Sequence, residues 1–426
     1  MFLSTSRIAL ALALASSVFA APSGFRSPHS SQSSSSSGAA YFITNDPSGN
    51  QIIAMNIASN GKLSGVSAVS AGGRGAHGIS NPIGPDPLFS QGAIKASAAA
   101  KMLVTVNPGS NTLSMFAINP NNPTKLTMVG SPVSSEGEFP MSVAINAKGS
   151  MVCVLNGGTV NGVNCYTPDS KLGLIAKPNT LRSLGLNQTT PATGPAGTTS
   201  HIVFSEDGSK LIASVKGVPP TPGFLAAWDI AADGSLSAEP VKSTPAAGGL
   251  LPFSMTVIPG TNAILATDAG VGFDIFDFGS GGNGTSSGDS ASSSVVPIDG
   301  QSATCWSSFS SKSGNFYLTD IGTATVTEVN VSKNLTGSIV KDADPIMQQY
   351  PQAKGSATID NDVATVGKNN FLYVLAANAT TVNVLSVNTP GKATPVQNFN
   401  FASAAKAAGI KFDKNNLQGM TTFVRD

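Results

Sequence analysis

The sequence predicts an all-β fold, a seven-bladed β-propeller of four-stranded blades closed by a C-terminal strand that joins the first blade. Three observations predict it. A strand pattern recurs seven times at a spacing of about 50 residues, which suits one blade per copy. The chain is rich in Gly, Pro, Ser, Thr and Val and poor in charge, with 45 Gly, 27 Pro and 11% charged residues, the make-up of strands joined by many turns. The two ends are also complementary. The first copy lacks its first strand, and the C-terminus supplies an orphan strand at 419–424. Pairing the two leaves no sheet edge at the seam.

The second strand is the clearest part of the repeat. It reads at 41–45, 103–107, 152–156, 211–216, 264–268, 316–320 and 372–376. Third strands follow at 113–118, 224–230, 273–278, 326–331 and 382–387. A Lys/Ser/Asn-Leu-Ser/Thr signature opens the fourth strand at Lys62, Lys125, Ser235 and Asn334, with a weaker form at Lys171. A Gly/Ser-rich stretch at 279–294 reads as a loop of the fifth blade, and the Ala-rich 402–409 as a short helix before the closing strand.

Residues 1–20 read as a signal peptide. Arg7 gives the positive start, 8–15 the apolar run, and Val18-Phe19-Ala20 the small-x-small cleavage pattern. The serine-rich 21–39 reads as a flexible linker open to O-glycosylation, and 40–426 as the propeller. The expected location is therefore secreted, extracellular or cell-wall associated, with no membrane span. Sequons at Asn187, Asn283, Asn330, Asn334 and Asn378 fit that address. Three cysteines suit an oxidising compartment. Cys153 and Cys165 flank Asn156-Gly157-Gly158 inside a hairpin, where opposed residues lie close enough for a disulfide. Cys305, beside Trp306, reads as a buried inert thiol.

Net charge is +1 and no arginine-rich run occurs, which argues against nucleic acid as a partner. Residues 279–284 fit G-x-G-x-x-G and 284–288 the nucleophile-elbow pattern, but both lie in low-complexity sequence without the strand-turn-helix setting either motif needs. No metal-ligand spacing and no cofactor motif appear, so neither a metal nor a cofactor is expected.

Candidate chemistry falls on one rim. In a propeller the ends of the second strands and the starts of the first share a mouth, so Asn45, Asn107, Asn156, Lys216, Asp268 and Asp320 would ring it. The alternative is that strand-end Asn and Asp satisfy turn amides. His201 opens a first strand and could act as general base near neutral pH. Asp268 or Asp320 would then orient water or substrate. Lys216, Arg74 and His77, with Asn107 and Asn156, would hold a carboxylate. A third reading places a cation between Asp268 and Asp320.

Phe139-Pro140-Met141-Ser142-Val143, Gly208-Ser209-Lys210 and the strand Thr199-Ser200-His201-Ile202-Val203-Phe204 resemble the seven-bladed lactonase propellers. That family includes 6-phosphogluconolactonases and 3-carboxymuconate lactonizing enzymes. Residues 86–92 and 302–309 are similar to its secreted fungal members, the 3-carboxymuconate cyclase-like proteins. The resemblance covers 41–424 and implies opening or forming a lactone of a carboxylated substrate. It also places a family histidine at His201. Two functions stay open. One is a lactone hydrolase or muconate-type cycloisomerase acting on a small carboxylate or lactone. The other is a non-catalytic glycoprotein that binds an extracellular protein or glycan. A monomer is expected in either case.

Overall fold

Seven antiparallel sheets follow one another round an axis in the computed structural model, which describes residues 36–279, 290–341 and 349–425. From blade one to blade seven the innermost strands are Gln418–Val424, Ile94–Ser97, Pro140–Ile145, Thr199–Phe204, Pro252–Val257, Thr304–Ser310 and Thr358–Val366. Each packs against the inner strand of the next blade all round the ring. Blades three and six add a short extra strand, Arg182–Ser183 and Gln349–Pro351. The leader 1–20, most of the linker 21–39 and Asn283 lie outside the described residues. Among the described residues no helix is long and apolar enough to cross a membrane.

The seam is closed by the two ends of the chain. Gln418–Val424 pairs with Gly38–Ile43, the first strand of the sequence, so blade one is completed from the C-terminus. Second strands are buried along nearly their whole length because a blade covers them on each face. Met102–Asn107, Ala263–Asp268 and Asn315–Asp320 are buried at every residue. Fourth strands face solvent instead, as in Leu126–Ser134, where only Leu126 is buried. Between blades the large side chains interlock. Trp306 meets Phe253 edge-on at 5.2 Å between centroids, and full burial of such a ring contributes about 1.5–3 kcal/mol.

Two details concern particular segments. The helix Ala402–Ala407 follows Phe401, whose ring lies 4.9 Å from that of Phe42. The fourth strand of blade four is Val241–Ser243 and does not open at Ser235-Leu236-Ser237. Leu236 forms only an isolated bridge to Ile230, and Pro240, without an N–H, cannot extend a ladder toward it. Cys153 and Cys165 face each other across adjacent strands of blade three and are bonded, with S–S 2.05 Å and Cα–Cα 4.0 Å. Cys305 is free and buried.

One irregularity shapes the channel. In six of the seven blades the pairing of the innermost two strands shifts register near the start of the inner strand. In blade four Thr199 opposes Val215 but Ile202 opposes Ala213, leaving Ser200 and His201 against Ser214 alone. A bulge of this kind re-aims the side chains it carries.

Candidate functional site

The channel has two ends. Connections between blades and the hairpins between second and third strands lie on one, here the connection face. Hairpins between first and second strands lie on the other, the hairpin face. The sequence places the binding mouth on the connection face, and the structure fills that mouth with the chain itself.

Residues 86–91, from the link between blades one and two, cross the axis and bond to blades one, three, four, six and seven. The Ser90 carbonyl accepts from Trp306 Nε1 at 3.0 Å and Gln418 Nε2 at 2.8 Å. Gln91 Nε2 donates to the Ser307 carbonyl at 3.0 Å, and Gln91 Oε1 accepts from the Ser307 amide at 3.2 Å. Gln91 Nε2 also reaches the Asn361 carbonyl at 3.4 Å. Ser90 Oγ donates to the Met141 carbonyl at 2.8 Å, and the Gln91 amide to the Ser200 carbonyl at 3.2 Å. Leu88, Phe89, Ser90 and Gln91 are all buried.

Under this plug the rim residues are occupied by backbone. Lys216 is buried, and its Nζ donates to the Phe89 carbonyl at 2.7 Å, to the Thr199 carbonyl at 3.2 Å and to Ser200 Oγ. Asp268 accepts from the amides of Leu250, Leu251 and Gly270. Asp320 does the same for Ser302, Ala303, Gly322 and Thr323. Each carboxylate thus clamps the turn of its own blade, which leaves neither free to orient water nor to share a cation with the other. Asn107 bonds to Ala71, Ser114 and Asn50. Asn156 donates to the Ser135 carbonyl. Exposed Arg74 reaches Gly109, and His77 staples its own loop through the carbonyls of Gly78 and Gly84.

His201 departs from this set. The bulge carries it past the rim into the channel, where it is 2% exposed. Its Nδ1 accepts from the Met255 amide at 2.9 Å, so the ring proton sits on Nε2 in the neutral imidazole. That Nε2–H has no partner. Gly92, with φ +85°, lets the chain pass here, since a Cβ would lie 3.0 Å from Nε2.

The ring edges a cavity of about 220 Å³, roofed by Gln91 and open toward the hairpin face. Lys95, Thr256, Ser307, Ser308 and Asp362 share its wall. Ser307 Oγ is bonded to Ser254 and Thr256, whereas buried Ser308 Oγ has no partner. Asp362 Oδ2 accepts from the amide and hydroxyl of Thr422, both at 2.7 Å. Two donors, one carboxylate and an unpartnered hydroxyl therefore meet around one small volume. Lys95 and Asp362 carry no motif; the available sign was a charge inside an otherwise apolar inner strand, as in Ile94-Lys95-Ala96.

Electrostatics separate the two levels. Burial holds His201 well below the usual histidine range, and the Lys95 charge adds to the effect. Burial raises the Asp362 carboxyl, with Lys95 and the Thr422 bonds opposing. Beneath the plug, burial raises Asp86 and lowers Lys216, each limited by the other's opposite charge. Asp360 is pushed up to about 7 by burial and then by Asp86. Its Oδ2 accepts from Gln418 Nε2 and the Gly419 amide, while Oδ1 is unpartnered.

A wider cleft of about 300 Å³ at the edge of blade three has Glu136, Asn156 and Arg182 in its wall. Its cation is already committed, because Arg182 donates to the carbonyls of Leu181, Ser237, Asn179 and Leu236.

The fold and the cavity define a seven-bladed propeller with a polar axial pocket. Residues 28–181, a little over a third of the chain, match the family described as "Lactonase, 7-bladed beta-propeller". Among solved structures the chain is similar to a periplasmic gluconolactonase from Pseudomonas aeruginosa, with TM-score 0.61 and 14% identity over 91% of this chain and 99% of that one. It is also similar to a Bacteroides fragilis protein described as a candidate 6-phosphogluconolactonase, with TM-score 0.58 and 14% identity over 91% and 98%. A Bacteroides uniformis protein of the same description gives 0.56 and 14% over 85% and 96%. No curated protein matches the chain. At these identities the structures establish the shared fold, and the family pattern covers residues 28–181 alone.

Proposed function

We propose that the protein is a lactonase-type hydrolase whose substrate enters from the hairpin face and reacts in the His201–Lys95–Asp362 cavity. The observation that carries this is the unpartnered His201 Nε2–H, a buried donor fixed by the Met255 amide and edging a cavity that also holds a cation and a carboxylate. An ester carbonyl oxygen would accept from Nε2–H and the Lys95 ammonium, donors already in place for the charge that develops there. Asp362, with its pKa raised by burial, takes a proton from water as the water oxygen bonds to the carbonyl carbon. The ring C–O bond then breaks, and Asp362 returns the proton to the leaving oxygen. The product is the open hydroxy acid. His201 acts here as a donor, not as the base the sequence suggests.

Lys95 is the one cation in the cavity wall, which favours a neutral or singly charged lactone over a tricarboxylate. The carboxymuconate-type reaction is thus the less favoured member of the class. Acid release from a panel of γ- and δ-lactones tests the reading. Lys95→Met and Asp362→Asn should each lower kcat/KM at least about a hundredfold with the fold intact. Unchanged turnover in both variants overturns it.

A second reading, a secreted binding platform, draws on the connection face. Ile79, Ile83, Val160 and Val218 are each more than half exposed on its loops, and such a patch suits a macromolecular surface. Export would place glycans on Asn187 and Asn334, which are exposed. At Asn330 the amide nitrogen already donates to Asn315 at 2.7 Å.

A further inference from the structure

The axial cavity is not uniform around its circumference. Asp362, Thr422 and Lys95 come from the inner strands of blades seven, one and two, which are neighbours. The opposite arc carries the polar His201, Thr256, Ser307 and Ser308, and one level of apolar side chains next to them. Ile145, Val203, Val257 and Phe309 come from blades three to six, and all four are half-buried. They occupy one level, each opposite the beginning of its blade's second strand: Ile145 pairs with Val152, Val203 with Ile212, Val257 with Ile264 and Phe309 with Phe316.

A second hollow of about 330 Å³ continues from the cavity. The two share Lys95, Val203 and Val257 in their walls. Beyond Lys95 its wall carries the apolar Ala96, Ala144, Ile145, Ile202 and Phe204, with Ser205 and Glu206 as its polar members. A molecule with its polar end at Lys95 and the His201 Nε2–H therefore has only one apolar direction in which to extend.

We propose that the site takes an amphiphilic substrate, a lactone carrying an aliphatic chain, with the ring carbonyl toward Lys95 and the chain along Val203, Val257 and Ile145. The assignment rests on the hydrolase reading for the ring and on the apolar level of the arc for the chain. Charge complementarity fixes the orientation: reversing it would set hydrocarbon against Lys95 and Asp362 and leave both without a polar partner.

Binding separates the two claims. Cyclohexanone, 4-propylcyclohexanone and 4-pentylcyclohexanone present the same carbonyl without a hydrolysable bond. Their dissociation constants would be measured calorimetrically on the full-length protein, beside turnover of δ-valerolactone. The arc predicts affinity rising roughly fourfold per buried methylene. Val203→Ser and Val257→Ser, made separately and checked for an unchanged melting temperature, should flatten that slope. A chain-length-independent affinity, or no binding by any ketone, overturns the inference even if δ-valerolactone is hydrolysed. A clear slope without hydrolysis of any lactone supports the amphiphile site and removes the hydrolase reading.

Discussion

The two ends of the channel are made of the same seven inner strands and differ in almost every physical respect. At the connection face most polar groups are matched, with Asn156 Oδ1, Thr304 Oγ1 and Asp360 Oδ1 among the exceptions. Residues 86–91 cross the axis, the Ser90 carbonyl takes two donors, Gln91 forms a paired contact with Ser307, and Asp268 and Asp320 are saturated by backbone amides. At the hairpin face polar groups are left over, with His201 Nε2 and Ser308 Oγ buried and unpartnered beside an open cavity. Orphaned buried donors cost stability that a folded core would otherwise recover. They persist where something else is meant to meet them. The difference teaches that polar residues near an axis do not mark a site; an unmatched donor edging an open cavity does.

Removing a plug contact should give the largest effect. Gln418 is fully buried and holds the Leu88 amide, the Ser90 carbonyl and Asp360 at once. Gln418→Ala strips partners from all three and should cost about 4 kcal/mol in chemical denaturation. A loss below about 1 kcal/mol would mean the plug is loosely held and the contrast between the faces is overdrawn.

A pH series comes next. Burial, and then the Asp86 charge, push the Asp360 carboxyl up to about 7 in the fold from its ordinary 3.8. Between those values the native state holds a proton that the unfolded chain has released, so this group lowers stability as pH rises from about 4 through about 7. Asp360→Asn removes that slope. Relative to the parent it should gain about 3–4 kcal/mol between pH 4 and pH 7.5, read as a melting-temperature difference that widens with pH. A constant difference would place the titration elsewhere.

The smallest effect is assigned to a rim carboxylate. Asp268→Ala leaves three amides of one turn without their acceptor, and water can reach part of that turn. About 1–2 kcal/mol of stability should be lost, with kcat/KM for a good lactone held within about twofold. A large fall in kcat/KM at unchanged stability would return the chemistry to the connection face.

The sequence shows much of the architecture and little of the site, for a physical reason. Strand repeats and the paired chain ends are periodic, so seven blades and their closure by Gln418–Val424 follow from local pattern. Which inner-strand residues face the axis does not, because a bulge near the strand start breaks the alternation in six blades. Reading forward from the strand start puts His201 on the rim; the bulge puts it in the cavity. The plug is less legible still. Gln91 meets Ser307 across 216 residues of chain, and nothing local in Leu88-Phe89-Ser90-Gln91 announces that it will cross the axis. Asp268 and Asp320 look like paired acids in sequence, and only the amides around them show that they clamp turns.

His77 lies on the connection face and His201 in the cavity, which makes the two rings reporters for the two ends. The decisive measurement is an imidazole ¹⁵N NMR titration of the labelled protein with cyclohexanone, with the rings assigned by single substitutions. A shift of the His201 Nε2–H resonance with His77 unmoved is the result this account predicts. A shift confined to His77 would contradict it and would mean that ligands bind over the plug.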